Sequence, residues 1–444
     1  MSLPQYTSYK DSAVEWLGPV PASWGVRRIR HLFEIRKRIC GAEGPPVLSI
    51  TQQGIKVKDL ESGDGQLAAD YSKYQFVQVG DFAMNHMDLL TGYVDISPLF
   101  GVTSPDYRVF AIRDNGMCCD RYYLYLFQAG YRNKIFFAYG QGSSQLGRWR
   151  FPTDEFNNFE CPFPPLHEQI AIAAFLDRET AKIDALVAEQ QRLIALLNEK
   201  RQAVISHTVA KGLNPDAPMK DSGIEWLGEV PKHWTIKRLR LVAEVQGGIA
   251  KGKDVSGCKT VEVPYLRVAN VQDGYLDLDE ISTIEIVETE LERYLLRPGD
   301  VLMNEGGDYD KLGRGAIWRG QIPCCIHQNH VFAVRPKALS PEWLNEVTGS
   351  AYAQFYFMTR SKQSTNLASI SSTNIMELPV VLPPEPEQQQ ILTFIREHRT
   401  KLDPLIAEAE SAIALLQERR TALISAAVTG KIDVRGLVTK EAAA

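Results

Sequence analysis

The chain has no C-x-x-C pair, and its seven cysteines are an odd number. Two adjacent pairs, Cys118–Cys119 and Cys324–Cys325, stand where neither a disulfide framework nor a zinc site would place them. His327 and His330 are three apart, but no carboxylate or thiol follows at a matching spacing, so no metal is expected. No apolar run approaches the roughly 18 residues of a membrane span. The opening MSLPQYTSYKDS has no apolar core of a signal peptide. A cytoplasmic protein with no membrane partner is the expectation.

Catalytic signatures are missing too. There is no G-x-S-x-G elbow for acyl transfer and no Gly-rich dinucleotide fingerprint. The amino-methyltransferase signature, Asn or Asp before two prolines and an aromatic, is absent, since Asn157-Asn158-Phe159 lacks the prolines. No acidic pair followed by E-x-K suggests a nuclease. Gly247 to Lys253 satisfies G-x4-G-K, but Asp254 stands where magnesium binding needs Ser or Thr, and the following VSGCKTVEVP does not read as a helix. That stretch is expected to be a mobile basic loop after a strand. The chain reads as non-catalytic, with no cofactor of its own.

Its 444 residues, 44% hydrophobic and 23% charged, suit a soluble chain of two to four domains. The net charge of −5 does not by itself point to nucleic acid, although binding depends on local basic faces.

What the sequence does contain is one frame written twice. DSAVEWLGPVPASW (Asp11–Trp24) returns as DSGIEWLGEVPKHW (Asp221–Trp234), with nine of fourteen positions identical. Arg27-Arg28-Ile29-Arg30 answers Lys237-Arg238-Leu239-Arg240, and VGDFAMN (Val79–Asn85) answers PGDVLMN (Pro298–Asn304). Pro164-Pro165 then Glu168-Gln169 matches Pro383-Pro384 then Glu387-Gln388. LLNEKRQAVISHTVAKG (Leu196–Gly212) then pairs with LLQERRTALISAAVTGK (Leu415–Lys431). The frames agree, whereas the middles diverge: one mechanical job done twice, with two specificities.

After each Pro-Pro, apolar residues recur with a 3.5-residue period. The series run from Ile172, Leu176 and Ile183 through Leu186, Leu193 and Val204, and from Ile391, Ile395 and Leu402 through Leu405, Ala409 and Leu423. This predicts two long helices packed on one another along a coiled-coil seam. The middles read as α+β, with strands at Gln75–Val79 and Val331–Val334 and helices around Arg121–Ala138 and Pro341–Met358.

Before each Pro-Pro lies a polar stretch, YGQGSSQLGRWRF (Tyr139–Phe151) and TRSKQSTNLASIS (Thr359–Ser371). Such side chains bond phosphates and read base edges. The DNA-binding candidates here are Gln141, Ser143, Ser144, Gln145 and Arg148 in the first copy and Lys362, Gln363, Thr365 and Asn366 in the second. Lys56, Lys58, Asn85 and His86 join the first set, and Lys311, Arg314, Gln328 and Asn329 the second.

Taken together, the E-W-L-G-x-V-P-x-x-W opener, the P-G-D-x-x-M-N segment, the P-P…E-Q helix start and the L-[NQ]-E-[KR]-R-x-[AT]-x-I-S helix resemble the specificity subunit of a type I restriction–modification system. The first copy departs at Val79 and at Glu160-Cys161-Pro162, where the second has Pro298 and Glu377-Leu378-Pro379. The resemblance implies an α+β fold with a pseudo-two-fold internal repeat: two globular target-recognition domains joined by two long antiparallel coiled-coil helices. The corresponding boundaries are residues 1–165 and 212–384 for the domains, 166–211 and 385–432 for the helices, and 433–444 for a C-terminal tail. Each domain would read one half of a bipartite, asymmetric site on double-stranded DNA. The implied partners are two modification (methyltransferase) subunits, carrying S-adenosylmethionine, and restriction (endonuclease/translocase) subunits, using ATP with Mg. Trp16, Trp24, Trp226 and Trp234 are expected to pack where each domain begins. Residues 1–165 carry 17 basic and 17 acidic side chains and 212–384 carry 18 and 22, so neither domain would bind DNA strongly alone. A helical scaffold without these partners, a stand-alone DNA-binding protein and a fused methylase–nuclease are the alternatives, the last opposed by the missing motifs.

Overall fold

The repeated opener folds the same way twice. In the computed structural model, which describes residues 3–60, 70–142, 149–252, 257–307, 312–313, 315–363 and 368–437, Tyr9–Asp11 pairs antiparallel with Pro19–Pro21, and Met219–Asp221 with Glu229–Pro231. Between the strands, Asp11 and Asp221 each accept a backbone N–H two residues on, at 3.0 and 2.9 Å. Ser12 and Ser222 do the same for Val14 and Ile224, both at 3.1 Å. These short side chains replace backbone partners in a tight turn, which explains why D-S opens both copies. Gly25–Arg28 then pairs with Glu160–Phe163, and Thr235–Arg238 with Pro379–Leu382, so the beginning and end of each domain meet.

The chain divides into two units, residues 1–190 with 411–444, and residues 191–410. Each holds a four-stranded antiparallel sheet of the same order. In the first it runs Phe33–Ile35, Arg108–Ile112, Phe82–Met84, Val94–Ile96; in the second, Ala243–Gly247, Val331–Pro336, Val301–Asn304, Gly315–Ile317. The G-D pair is the turn leading into the third of these strands. Asp81 N–H donates to Gln78 O and Asp300 N–H to Arg297 O, both at 3.0 Å. Each Asp carboxylate accepts the backbone N–H of that same first residue at 2.8 Å. Both carboxylates are buried and carry arginines, Arg36 and Arg38 on Asp81, Arg335 in two bonds of 2.7 and 2.8 Å on Asp300. Predicted strand Gln75–Val79 therefore stops at Val77, where the turn begins.

The predicted helices beyond the sheets are each broken. Asp120–Arg132 is separated from Ile135–Ala138 by Lys134 at φ 55°. Pro341–Thr348 is separated from Ala351–Arg360 at Gly349-Ser350, where Ser350 Oγ donates to Val347 O at 2.6 Å. An N-cap Ser340 accepting from Trp343 N, with Pro341 at the first helical position, starts the second pair.

The long helices run Leu166–Lys211 and Glu385–Val428, about 69 and 66 Å at 1.5 Å per residue. In the first unit, Ile172 and Leu176 from the start of the first helix share a core with Ile424 and Val428 from the end of the second. In the second unit, Ile205 and Val209 share a core with Ile391 and Ile395. Arg420 bonds Asp184 at 2.9 Å in the first unit, and Arg201 bonds Asp403 at 3.4 Å in the second. Within the first unit the partner steps back from Val428 to Arg420 as the first helix advances from Ile172 to Asp184, and within the second it steps back from Asp403 to Ile391 as the first helix advances from Arg201 to Val209, so in each unit the two helical segments run antiparallel. The predicted seam is not sealed along its length, since Leu186, Leu193 and Leu405 are 42–47% exposed. Ile183, Leu402 and Ala409 are buried on the same stripe without belonging to either domain core. Pro404 sits inside the second helix, where it removes one backbone bond.

At the base of each domain a buried tryptophan meets the start of that domain's own helix. Trp24 Nε1 donates to Glu168 Oε2 at 2.8 Å, and Trp234 Nε1 to Glu387 Oε2 at 3.0 Å. Tyr6 OH also donates to Glu168 at 3.0 Å, and His233 Nε2 lies 2.7 Å from Glu387. The neighbouring Gln169 and Gln388 each donate to the carbonyl of the first proline, both at 2.8 Å. The end of the other helix arrives on the same ring. A Cβ at Gly430 would overlap Pro21 Cδ and lie 3.0 Å from Trp24, and one at Gly212 would lie 3.2 Å from Trp234. Trp16 stacks on Phe159 at 5.3 Å between ring centres. Trp226 departs from the expected packing. The strand pairing corrects the sequence correspondence, which set Leu378 against Cys161: Leu378 stands where the first domain has Phe159, each accepting the backbone N–H of the residue after the shared arginine, and Trp226 remains 37% exposed beside Phe355 and Tyr356.

Gly430→Ala should therefore lower stability by about 1–3 kcal/mol, because φ of 74° and the Pro21 contact both oppose a side chain. Gly436→Ala, with open space around it, is the control and should stay within about 0.5 kcal/mol. Urea unfolding followed by circular dichroism distinguishes them, and equal midpoints would show that this junction tolerates the extra atom.

Candidate nucleic-acid interface

Each domain carries a short hairpin just before its long helix. In the first, Gln141–Gly142 pairs with Trp149–Arg150; in the second, Lys362–Gln363 pairs with Ala368–Ser369. Gln141, Lys362 and Gln363 are exposed. The candidates Ser143, Ser144, Gln145, Arg148, Thr365 and Asn366 lie outside the described residues, as do Lys311 and Arg314.

Both hairpins are docked by the same bond. The residue after the hairpin, Phe151 or Ile370, donates its backbone N–H to the residue after the shared asparagine, His86 O or Glu305 O, at 2.8 Å in each case. In the first domain, Leu89 N–H also reaches Trp149 O at 2.8 Å, and Trp149 Nε1 donates to Phe137 O at 2.7 Å. In the second, Gly306–Gly307 adds a strand to the hairpin. The structure thus brings His86 to the Gln141 hairpin, and Glu305 to the Lys362 and Gln363 hairpin.

Other candidates gather unevenly around these two places. Lys56 is exposed on Gly54–Val57 with Nζ 2.8 Å from Gln53 Oε1, and Lys58 follows that strand with its N–H on Val47 O. The tip of this hairpin touches the Asp88–Thr91 turn through Gln52 Nε2 and Thr91 O at 3.4 Å. Gln328 is half-buried, its N–H bonded to Leu266 O at 2.8 Å, and Asn329 N–H bonds Ile249 O at 3.1 Å. That bond gives the G-x4-G-K stretch a structural account. Ile249 pairs with the Gln328 segment, and the next described element is the strand Thr260–Leu266 rather than a helix. Among the described residues, no group of three or more metal-ligating side chains occurs, and no helix is long and apolar enough to cross a membrane.

Asn85 and His86 sit differently from a pair of exposed readers. Asn85 Oδ1 accepts Met87 N–H at 3.3 Å, holding its own turn. Burial, with the nearby Arg108 charge, pushes the His86 imidazole down to about 3. Arg108 is itself buried, donates to Phe151 O at 3.0 Å and lies 4.3 Å over the Phe156 ring. Its burial pulls the guanidinium down to about 10, still charged at neutral pH. His86 therefore faces the hairpin as a neutral ring, without the charge that would attract phosphate.

Sequence reasoning weighed His330 only as a metal ligand and passed over Glu305. Glu305 Oε2 and His330 Nδ1 are 2.6 Å apart, and Asn329 Nδ2 lies 3.3 Å from His330 Nε2. The signal was present: M-N-H and M-N-E occupy one place in two like frames with unlike side chains.

Between about pH 6.5 and 3 the unfolded chain holds a proton on His86 that the folded chain does not, so acid favours unfolding. His86→Gln should remove that component. Its stability, relative to the parent, should improve by about 1 kcal/mol per pH unit as pH falls from 6.5 to 4.5. Parallel stability curves for the two proteins would show that this ring is not held neutral.

The family described as "Type I restriction modification DNA specificity domain" matches residues 231–409. The EcoKI specificity subunit of Escherichia coli (strain K12) is 26% identical over 286 residues, covering 63% of this chain. The chain spans 59% of that relative's length. The MjaIX specificity subunit of Methanocaldococcus jannaschii is 21% identical over 97% of this chain and 98% of its own. A solved structure described as bearing on "complex assembly" and "conformational transition of the type I R-M system" aligns with a TM-score of 0.63 at 15% identity, over 92% of this chain and 98% of that one. That likeness concerns the fold.

Proposed function

Because the chain belongs to the family of type I restriction–modification specificity subunits, we propose that it reads a bipartite DNA site, one half with each domain, and performs no chemistry itself. The observation that carries this reading is the duplicated hairpin. Both domains dock a polar hairpin by one identical backbone bond, yet present different side chains around it. A frame held constant under varying polar side chains is what two unlike recognition surfaces require.

The domains for this purpose are residues 1–165 and 212–384, with the helices as spacer between the halves of the target. Methyl transfer would come from two modification subunits that hold S-adenosylmethionine, and cleavage from restriction subunits using ATP with Mg. The candidate contacts divide accordingly, Lys56, Lys58, His86 and Gln141 on one half-site, Gln328, Asn329, Lys362 and Gln363 on the other. The near-balanced charge of each domain supports a need for partner subunits in phosphate contact.

Exchanging residues 212–384 for the matching domain of a relative should change one half of the methylated motif and leave the other intact. Single-molecule sequencing of modified adenines in cells carrying the intact system reads this directly, and changes in both halves would refute modular reading. The helices should act as a ruler. Matched seven-residue inserts in both keep the 3.5-residue register and add about 10 Å, close to three base pairs of B-DNA. The unread spacer should lengthen with both half-sites preserved, and an unchanged spacer at full activity would show that other elements set the distance.

A further inference from the structure

The second domain holds an ordered polar relay on its surface that does nothing for the core. Asn329 Nδ2 donates to His330 Nε2 at 3.3 Å, which places the ring proton on Nδ1, and Nδ1 donates to Glu305 Oε2 at 2.6 Å. The His330 side chain is 55% exposed and that of Glu305 is 29% exposed. An exposed pair of this kind contributes little to stability. Holding three side chains in one arrangement nevertheless costs rotamer freedom. The arrangement fixes Glu305 as an acceptor, one oxygen occupied by His330. Its Oε1 takes no bond from the described residues.

The place of Glu305 in the frame gives the relay its meaning. Asn304 before it corresponds to Asn85, the last position of the M-N segment in each copy. Its backbone oxygen receives Ile370 N–H as His86 O receives Phe151 N–H. Position and backbone geometry are thus the same in the two domains, while the side chain is an oriented carboxylate in one and a half-buried, neutral imidazole in the other. A residue kept for folding would have no reason to differ so in charge at one geometrically fixed point. A residue that selects a base would have to differ if the two half-sites differ.

Resting on the DNA-reading function above, we propose that Glu305 is a specificity-determining residue of the second domain, oriented by His330 and Asn329, and that it selects a base offering an exocyclic amino group in the major groove, cytosine N4 or adenine N6. A carboxylate accepts but cannot donate, so it rejects the carbonyl edges of guanine and thymine. His86 occupies the corresponding position of the first domain and, lacking a charge, selects by a different edge. His330 acts through Glu305 and is a positioning residue.

The test uses the full chain in complex with its modification partner, purified from cells carrying the intact system, and a duplex library randomised at each half-site in turn. Glu305→Gln and Glu305→Ala should each leave the first half-site unchanged and lower discrimination at one position of the second by about tenfold or more. With glutamine, which also donates, guanine or thymine should gain at that position. The identity of the base lost there decides between cytosine and adenine. His330→Ala should blur the same position more weakly, and His86→Ala should alter only the first half-site. Unchanged preference at every position in both Glu305 variants overturns the proposal. So does altered preference in both half-sites, or loss of all binding by both variants with unchanged melting. A parent complex that shows no bipartite preference at all would instead refute the function on which the proposal rests.

Discussion

A buried indole bonded to a carboxylate, buried at Glu168 and 25% exposed at Glu387, holds each half of this chain together. Trp24 and Trp234 are fully buried, and their N–H groups need acceptors. Glu168 and Glu387 lie in the first turn of each long helix, where a negative charge is favoured and backbone N–H groups point outward. At Glu168 the bond is supplemented by Tyr6 and, at 3.9 Å, by Arg435. Removing the indole would leave a 2%-exposed carboxylate short of a donor, a loss of about 1–3 kcal/mol. The ring also receives the glycine that ends the other helix. In the first half, opener, helix start and helix end are far apart in sequence and meet on one side chain. For that reason the first unit takes in both residues 1–190 and residues 411–444, and its core cannot close until the last helix has been made.

With the junctions fixed, the rest of each domain is free to vary between the points where the frame must close. The turn at Asp81 and at Asp300, the order of the four-stranded sheet and the hairpin before the helix are the same. Around them the fillings differ. The first sheet packs Phe33, Phe82, Phe110 and Phe127 edge-on and stacked against one another. The second domain adds a three-stranded sheet, Ser282–Val287, Thr260–Leu266 and Ile326–His327, that carries the Gln328–His330 segment at its end. Such a core tolerates different apolar fillings when volume and pattern are kept. The surface segments it supports can therefore change without disturbing the junction.

The repeat, the long helices and the packing of Trp24 and Trp234 were legible in the sequence because each leaves a periodic or duplicated trace. The helix breaks at Lys134 and Gly349 were not, since a left-handed residue and a serine cap interrupt an otherwise helical pattern without changing its hydrophobicity. The exposure of Leu186, Leu193 and Leu405 was hidden because a heptad states which face is apolar, not what covers it. Among candidate contacts, the sequence singled out polar residue types. It could not show that Asn85 bonds its own turn or that burial keeps His86 neutral, since both depend on residues distant in the chain. Glu305 was passed over for the converse reason. A carboxylate does not suggest DNA by type, and only its place beside His330 and the docked hairpin gives it a role.

Several arginines are already engaged by carboxylates of this chain. Arg36 and Arg38 are held by Asp81, Arg335 by Asp300, Arg238 and Arg240 by Glu377, Arg28 by Glu160, and Arg399 in two bonds by Glu346. Sequence-independent affinity for DNA grows with the number of phosphates neutralised, because each releases counterions. Arginines tied to carboxylates contribute little to that release. On the proposed reading, holding the duplex falls more to the partner subunits, and this chain discriminates between base pairs with a few oriented side chains. That division is useful. If affinity resides in the partners and selection in this chain, a change of recognition domain alters the sequence read without altering how tightly the assembly grips DNA. The frame can then be kept while the specificity is replaced.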